Sequence, residues 1–234
     1  MSAMPLSSPE AAAFLFDLDG VLVDTASLVR GAWRRFAAER GVVIADAEFP
    51  GRFFGRRTAD ILVDVFAIER ASAEALAGAG LDDKTAEIEA GAPLPEISGA
   101  VDFVRSTIAA GLAVALVSSA SATNVRLALH RLGLEDAFAV IVHAGSVARG
   151  KPAPDPYLEA CAELHVAPAS AVVFEDSLPG IAAAHAAGAR CVALATSEPR
   201  ERLIQADLVV DDFRGLQPGA VLAALSGRRV ELSR

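Results

Sequence analysis

The sequence predicts an α/β fold: a parallel sheet flanked by helices, with a helical module inserted after the first strand. Three observations predict it. Six short apolar runs have the length and continuous hydrophobicity of strands buried on both faces. From Ala113 onward, segments of helical periodicity separate most of these runs. Between the first run and the second, the chain shows helical patterns alone.

The first run is Ala13–Phe16. The stretch Ser27–Ala90 then reads as helical: Val29, Ala32, Trp33, Phe36 and Ala37 form one apolar stripe, and further helical runs cover Thr58–Glu69, Ala71–Ala79 and Asp82–Ala90. Gly91-Ala92-Pro93-Leu94-Pro95 reads as a linker back to the sheet. The expected organisation is a core of residues 1–24 and 95–234 with a helical domain at 25–94; a long crossover within one domain is the competing reading. The remaining strands are expected at Ala113–Val117, Val140–His143, Ala171–Phe174, Cys191–Ala195 and Leu208–Val210. Between them, Thr123–Leu132 carries Val125, Ala128, Leu129 and Leu132 at i, i+3, i+4 and i+7. Pro156–Leu164 is a second helix, and Pro179–Ala187, with Pro at its start and Gly188 after its end, a third.

The composition narrows the partners. The formal charge of −9 repels nucleic acid and anionic membranes, so neither is expected as a partner. No run is long enough to cross a bilayer, and Ala11–Phe16 is too short for a signal core, so a cytoplasmic protein is expected. Cys161 and Cys191 stand far apart in apolar contexts and read as buried thiols. No long exposed apolar stripe calls for a second copy, so a monomer is expected. Arginine carries the positive charge, and Lys84 and Lys151 are the lysines.

In open parallel sheets, ligands bind at the carboxyl ends of the strands. Asp17 and Asp19 follow the first run, Ser118 and Ser119 the second, and Glu175 and Asp176 the fourth, while Lys151 lies in the loop after the third. Taken singly, each has an ordinary reading: a turn, a helix cap, a loop lysine. Together they make coherent chemistry. Asp17, Asp19 and Asp176 are hard oxygen ligands suited to Mg2+, which would also draw in an anion despite the net charge. Lys151 supplies fixed positive charge, and Ser118 with the amide of Ser119 can donate to phosphate near a helix start. One carboxylate can attack phosphorus while another, two residues on, serves the leaving oxygen and then water.

The segments Phe16-Asp17-Leu18-Asp19-Gly20-Val21-Leu22-Val23-Asp24-Thr25, Val117-Ser118-Ser119, Gly150-Lys151-Pro152-Ala153-Pro154-Asp155-Pro156-Tyr157 and Val173-Phe174-Glu175-Asp176-Ser177, in this order, resemble the haloacid dehalogenase (HAD) superfamily, in its beta-phosphoglucomutase-like sugar phosphatase branch. The resemblance implies a Rossmann-like core with a mobile helical cap, hinged near Val23–Ala26 and Gly91–Pro95. It implies that Asp17 is nucleophile and metal ligand, and that Asp19 is general acid/base with its carbonyl on the metal. Ser118 and Lys151 are then phosphate binders, and Asp176 a metal ligand assisted by Glu175. Dehalogenases of the family do not use the second Asp, and phosphonatases use a cap lysine absent from Phe49–Thr58, so both fit less well.

The expected activity is hydrolysis of a small phosphorylated sugar or polyol through an aspartyl phosphate. A beta-phosphoglucomutase-like hexose-phosphate mutase is the alternative, and a non-catalytic binding domain a third reading. Phe53–Thr58 resembles the family's specificity loop, so Arg56 and Arg57 are candidate substrate ligands, as opposed to a solvated helix start. Lys84 and Asn124 are further candidates, each with a solvent-facing alternative. Against the mutase, Ala120-Ser121-Ala122-Thr123-Asn124 lacks the lysine that mutases carry after the motif-two serine, and Thr58 aligns where they carry arginine.

Overall fold

The computed structural model describes residues 13–79 and 94–227. Six strands, β1 (Ala13–Phe16), β2 (Ala113–Val117), β3 (Val140–Val142), β4 (Ala171–Glu175), β5 (Arg190–Leu194) and β6 (Leu208–Val210), form one parallel sheet of order β3-β2-β1-β4-β5-β6. Phe16 pairs with Leu116 on one side and Phe174 on the other, and Asp17 N–H extends the ladder to the Phe174 carbonyl at 3.0 Å. Connections run outward one way from β1 to β3 and the other way from β4 to β6. The crevice of such a sheet therefore lies over the carboxyl ends of β1 and β4.

The two faces of the sheet are packed differently. Phe14, Phe16 and Phe174 face a layer completed by Phe103, Phe138 and Phe213, with Phe16 stacked on Phe174 at 4.8 Å between centroids. Each fully buried ring of this kind contributes about 1.5–3 kcal/mol. The opposite face carries small groups, Ala115, Ala171, Ala193 and Cys191, which lets helices approach closely. Both cysteines are buried and free, as expected.

The flanking helices are α4 (Ala100–Ala109), α5 (Ala122–Leu132), α6 (Asp155–Glu163), α7 (Leu178–Ala187) and α8 (Pro218–Leu225). Ser121 and Ser177 cap α5 and α7 by accepting from the amides of Asn124 and Gly180, and Gly133 and Gly188 end them in the left-handed conformation. Among the described residues between β1 and α4 are α1 (Ala26–Ala38), α2 (Thr58–Phe66) and α3 (Arg70–Gly78), with a 3-10 turn at Asp46–Glu48 and an irregular turn at Phe49–Arg52. These enclose an apolar core of their own around Trp33, Phe36, Phe49, Phe53, Ile61 and Leu62.

Strand and helix boundaries differ from expectation by small shifts. β3 stops at Val142, β5 is displaced one residue towards the N-terminus, and α2 ends at Phe66 because Ala67 turns left-handed. β4 continues through Glu175, which matters for the site. The helices α4 and α8 were not foreseen. The expected helix Asp82–Ala90 lies outside the described residues, as does most of the linker Gly91–Pro95.

Candidate active site

Asp17 leaves the end of β1 pointing into the crevice and is 3 % exposed. The chain then turns at Gly20, whose φ of +78° favours glycine. A Cβ there would also stand 1.9 Å from Asp176 Oδ2, so the turn of β1 and the end of β4 touch because Gly20 has no side chain. Thr25 occupies the position before α1 where a capping hydroxyl is expected, yet it makes no cap bond. Its Oγ1 donates instead to Asp19 Oδ1 in a short hydrogen bond.

Lys151 is almost fully buried and makes three contacts. Its Nζ lies 3.0 Å from Asp17 Oδ1 and 2.6 Å from Glu175 Oε1, and donates to the Val117 carbonyl at 3.0 Å. Because β4 runs through Glu175, that side chain shares the face of Val173 and points at α6 and α7. There its Oε1 also accepts from Tyr157 Oη at 2.8 Å. Its Oε2 accepts from the amides of Asp176 and Ser177 at 3.0 and 3.1 Å and from Ser177 Oγ at 2.9 Å. Both oxygens are thus engaged by protein donors. Asp176, next in sequence, points the other way into the crevice with Ser197 as a partner, and its buried Oδ1 accepts no hydrogen bond among the described residues.

Ligand atoms of Asp17, Glu175 and Asp176 lie within 4.8 Å of one another, with Lys151 the cation among them. The carboxylates outnumber it, and the protonation balance shows the strain. Burial pushes the Asp17 carboxyl up to about 7 against the pull of Lys151, with Glu175 and Asp19 adding to the rise. Burial raises Asp176 well above the carboxylate range, and the charges of Glu175 and Asp17 reinforce it. Burial works against the Lys151 ammonium, but Asp17 and Glu175 outweigh it and hold the lysine firmly charged. Burial likewise opposes ionisation of Glu175, but Lys151, Tyr157 and Ser177 overcome it and keep that carboxylate below its usual range. A buried cluster short of positive charge, with one carboxylate oxygen unpartnered, fits a small hard cation such as Mg2+.

Above the carboxylates is a cavity of about 60 Å³, smaller than the ~300–1,000 Å³ typical of small-molecule sites. Asp17, Asp19, Asp176, Ser119 and Ser197 form its floor; Val29, Trp33, Phe54, Arg56, Thr58 and Ile61 are among its walls on the helical module. Ser118 is buried at the end of β2, its Oγ accepting from the Ala120 amide at 3.0 Å, while Ser119 Oγ donates to the Gly55 carbonyl across the cavity mouth at 3.0 Å.

The other candidates divide. Arg56 lines the cavity and pairs with Asp64. Arg57 lies outside it, bound to Asp60 and to the Val147 carbonyl. Asn124 is buried on α5 and lines a separate small hollow behind Asp19 and Thr25. Lys84 lies outside the described residues. Two neighbours of the candidate residues, Thr25 and Tyr157, fall within the family-like segments of the sequence, which assign neither of them a role.

Comparison with known proteins places the chain in a family. A profile of the family described as haloacid dehalogenase-like hydrolase matches residues 11–188. The chain is 34% identical over 205 residues to validoxylamine A 7'-phosphate phosphatase of Streptomyces hygroscopicus subsp. limoneus, covering 85% of this chain and 92% of that one. It is 34% identical over 208 residues to hexitol phosphatase A of Escherichia coli (strain K12), covering 84% and 89%. The crystal structure of beta-phosphoglucomutase from Clostridium difficile superposes with a TM-score of 0.79 at 24% identity over 93% of this chain and 98% of that one, a likeness of fold. The chain belongs to the haloacid dehalogenase-like hydrolase family. Both of these curated relatives are named as phosphatases.

Proposed function

We propose that the protein hydrolyses the phosphate monoester of a small sugar or polyol, with Mg2+, through an aspartyl phosphate on Asp17. The observation that carries this reading is the buried contact of Asp17 with Lys151 at 3.0 Å, beside the unpartnered Oδ1 of Asp176. Asp17, Asp176 and the Asp19 carbonyl would hold the cation. When bound, it would supply the missing positive charge and polarise the phosphoryl oxygens. Glu175 has no oxygen to spare, so we assign it the task of anchoring Lys151.

Asp17 attacks phosphorus as the ester oxygen leaves, and Asp19, oriented by Thr25, gives that oxygen its proton. Lys151, the Ser118 hydroxyl and the Ser119 amide balance charge on the phosphoryl oxygens. Asp19, now a carboxylate, takes a proton from water. The water attacks phosphorus and releases inorganic phosphate, restoring Asp17. The helical module acts as the cap that keeps bulk water out during transfer.

Two relatives are named as phosphatases, one of validoxylamine A 7'-phosphate and one of hexitol, and the second name supports the sugar or polyol class. The mutase is the second reading. It must grip a bisphosphate at both ends, whereas among the described residues the module gives the cavity wall one cation, Arg56, already paired with Asp64. A small soluble substrate suits the described helices, none of which is long and apolar enough to cross a membrane; we place the enzyme in the cytoplasm. A panel of sugar and polyol phosphates assayed with Mg2+ tests the reading: phosphate release is expected, and isomerisation without release would replace it by the mutase. Asp17→Asn is expected to abolish turnover, and full activity in that variant would refute the aspartyl phosphate.

A further inference from the structure

Arg57 stands where the helical module meets the core. Its Nε and Nη2 donate to Asp60 Oδ2 and Oδ1 at 3.0 and 3.3 Å, and its Nη1 crosses to the core and donates to the Val147 carbonyl at 3.2 Å. Arg70 grips Asp60 in turn at 2.8 Å. The Arg57 stem lies across Gly150, where a Cβ would stand 2.6 Å from Nε and 2.8 Å from Cδ and Cγ. Gly150 is not among the residues with positive φ, so its backbone does not demand glycine; the space taken by Arg57 does. The next residue in the chain is Lys151, whose ammonium meets Asp17.

We propose that Arg57 is a positioning residue, the latch by which the helical module docks on the loop carrying Lys151, with Gly150 as its seat. The head of Arg57 is pinned by Asp60, so its stem cannot swing aside cheaply. A side chain at position 150 would then push the module away from the loop. Removing the arginine would break the same junction from the other side. The two changes act on one contact, so their effects must not add. The inference rests on the phosphatase reading only in that Lys151 is taken to serve Asp17.

Trp33 is the single tryptophan and lines the cavity from the module side, so its quenching by acrylamide reports opening without any substrate. Arg57→Ala and Gly150→Ala are each expected to raise the quenching constant. Each is also expected to cut kcat/KM for phosphate release from p-nitrophenyl phosphate about tenfold, the worth of one charge-assisted hydrogen bond of ~1.5 kcal/mol. The double variant is expected to match Arg57→Ala alone, because the three atoms nearest the added Cβ all belong to the Arg57 side chain. Additive losses, or quenching unchanged in both single variants, would overturn the latch. Should Gly150→Ala not fold, Asp60→Asn takes its place: it frees the head of Arg57 and must raise quenching, and no rise rejects the proposal. If the quenching cycle is non-additive while the parent protein releases no phosphate from any ester, the latch stands and the phosphatase reading fails.

Discussion

Replacing glycine by alanine inside a helix ordinarily stabilises a protein by up to about 1 kcal/mol. Gly180 lies in α7, and Gly180→Ala is expected to do the opposite. A Cβ there would stand 1.9 Å from Glu175 Cδ and Oε1 and 2.2 Å from Oε2. Those atoms belong to a fully buried carboxylate that accepts from Lys151, Tyr157, Ser177 and the Asp176 amide, so it has no free direction in which to retreat. Displacing it separates a buried ion pair, a loss of about 3–5 kcal/mol. Set against the helix gain of about 1 kcal/mol, the net destabilisation is about 2–4 kcal/mol. Urea unfolding followed by circular dichroism measures it, with Gly219→Ala in α8 as the control. A Cβ at that control position meets nothing within 4 Å, and it is expected to be neutral or slightly stabilising. The variants should also differ in phosphate release, which Gly180→Ala loses as Lys151 shifts. A Gly180→Ala protein as stable as the parent would refute the role given to Glu175 as the rigid anchor.

Thr25→Val removes the hydroxyl that orients Asp19 and is expected to lower kcat between about tenfold and a hundredfold, part of the ~10²–10⁴ due to a general acid–base group, with little change in thermal midpoint. Steady-state phosphate release checks this, and an unchanged kcat would detach Thr25 from the proton transfer. Glu198 gives a pH signature. It is 2 % exposed, burial raises its pKa despite Arg202 at 2.9 Å, and among the described residues neither carboxylate oxygen accepts a well-directed hydrogen bond. The folded state therefore keeps this proton to higher pH than the unfolded state does. Its share of stability is present below pH 4.5, the ordinary glutamate value, and is lost as pH rises through the folded value. Glu198→Gln should flatten that part of the stability profile between pH 4 and 8 in urea unfolding, and an unaltered profile would contradict the assignment.

The carboxylates and Lys151 were legible because each follows an apolar run, and strand ends are where such sheets collect polar groups. What each one does there was less legible. Glu175 and Asp176 are neighbours with identical chemistry, and the two-residue alternation of β4, extended by one position, sends one inward to Lys151 and the other into the crevice. A shift of one residue in the expected strand end conceals that division. Arg56 and Arg57 pose the same problem on a turn: adjacent arginines diverge, one towards the cavity and one towards Val147, and composition alone does not order them. Asn124 was visible as a first-turn residue of α5, but the helical repeat places it over Ala128, and so on the buried side. The helix α8 is hard to see in the sequence because its Ala-rich pattern has little contrast between faces.

Where the chain departs from the sheet for the helical module and where it rejoins, the two strands of backbone are paired: Val23 bridges Glu96, and the Asp24 amide donates to the Pro95 carbonyl at 2.8 Å. Among the described residues the module meets the core again away from this junction, through Arg57 to the Val147 carbonyl and through the Gly55 carbonyl to Ser119. A segment of different length or sequence grafted between those two positions would close the same pair and leave the strands where they are. Divergence of substrate preference then requires no change in the residues that break the ester, and a chimera carrying a relative's segment at this junction can inherit that relative's appetite with the chemistry of its new host.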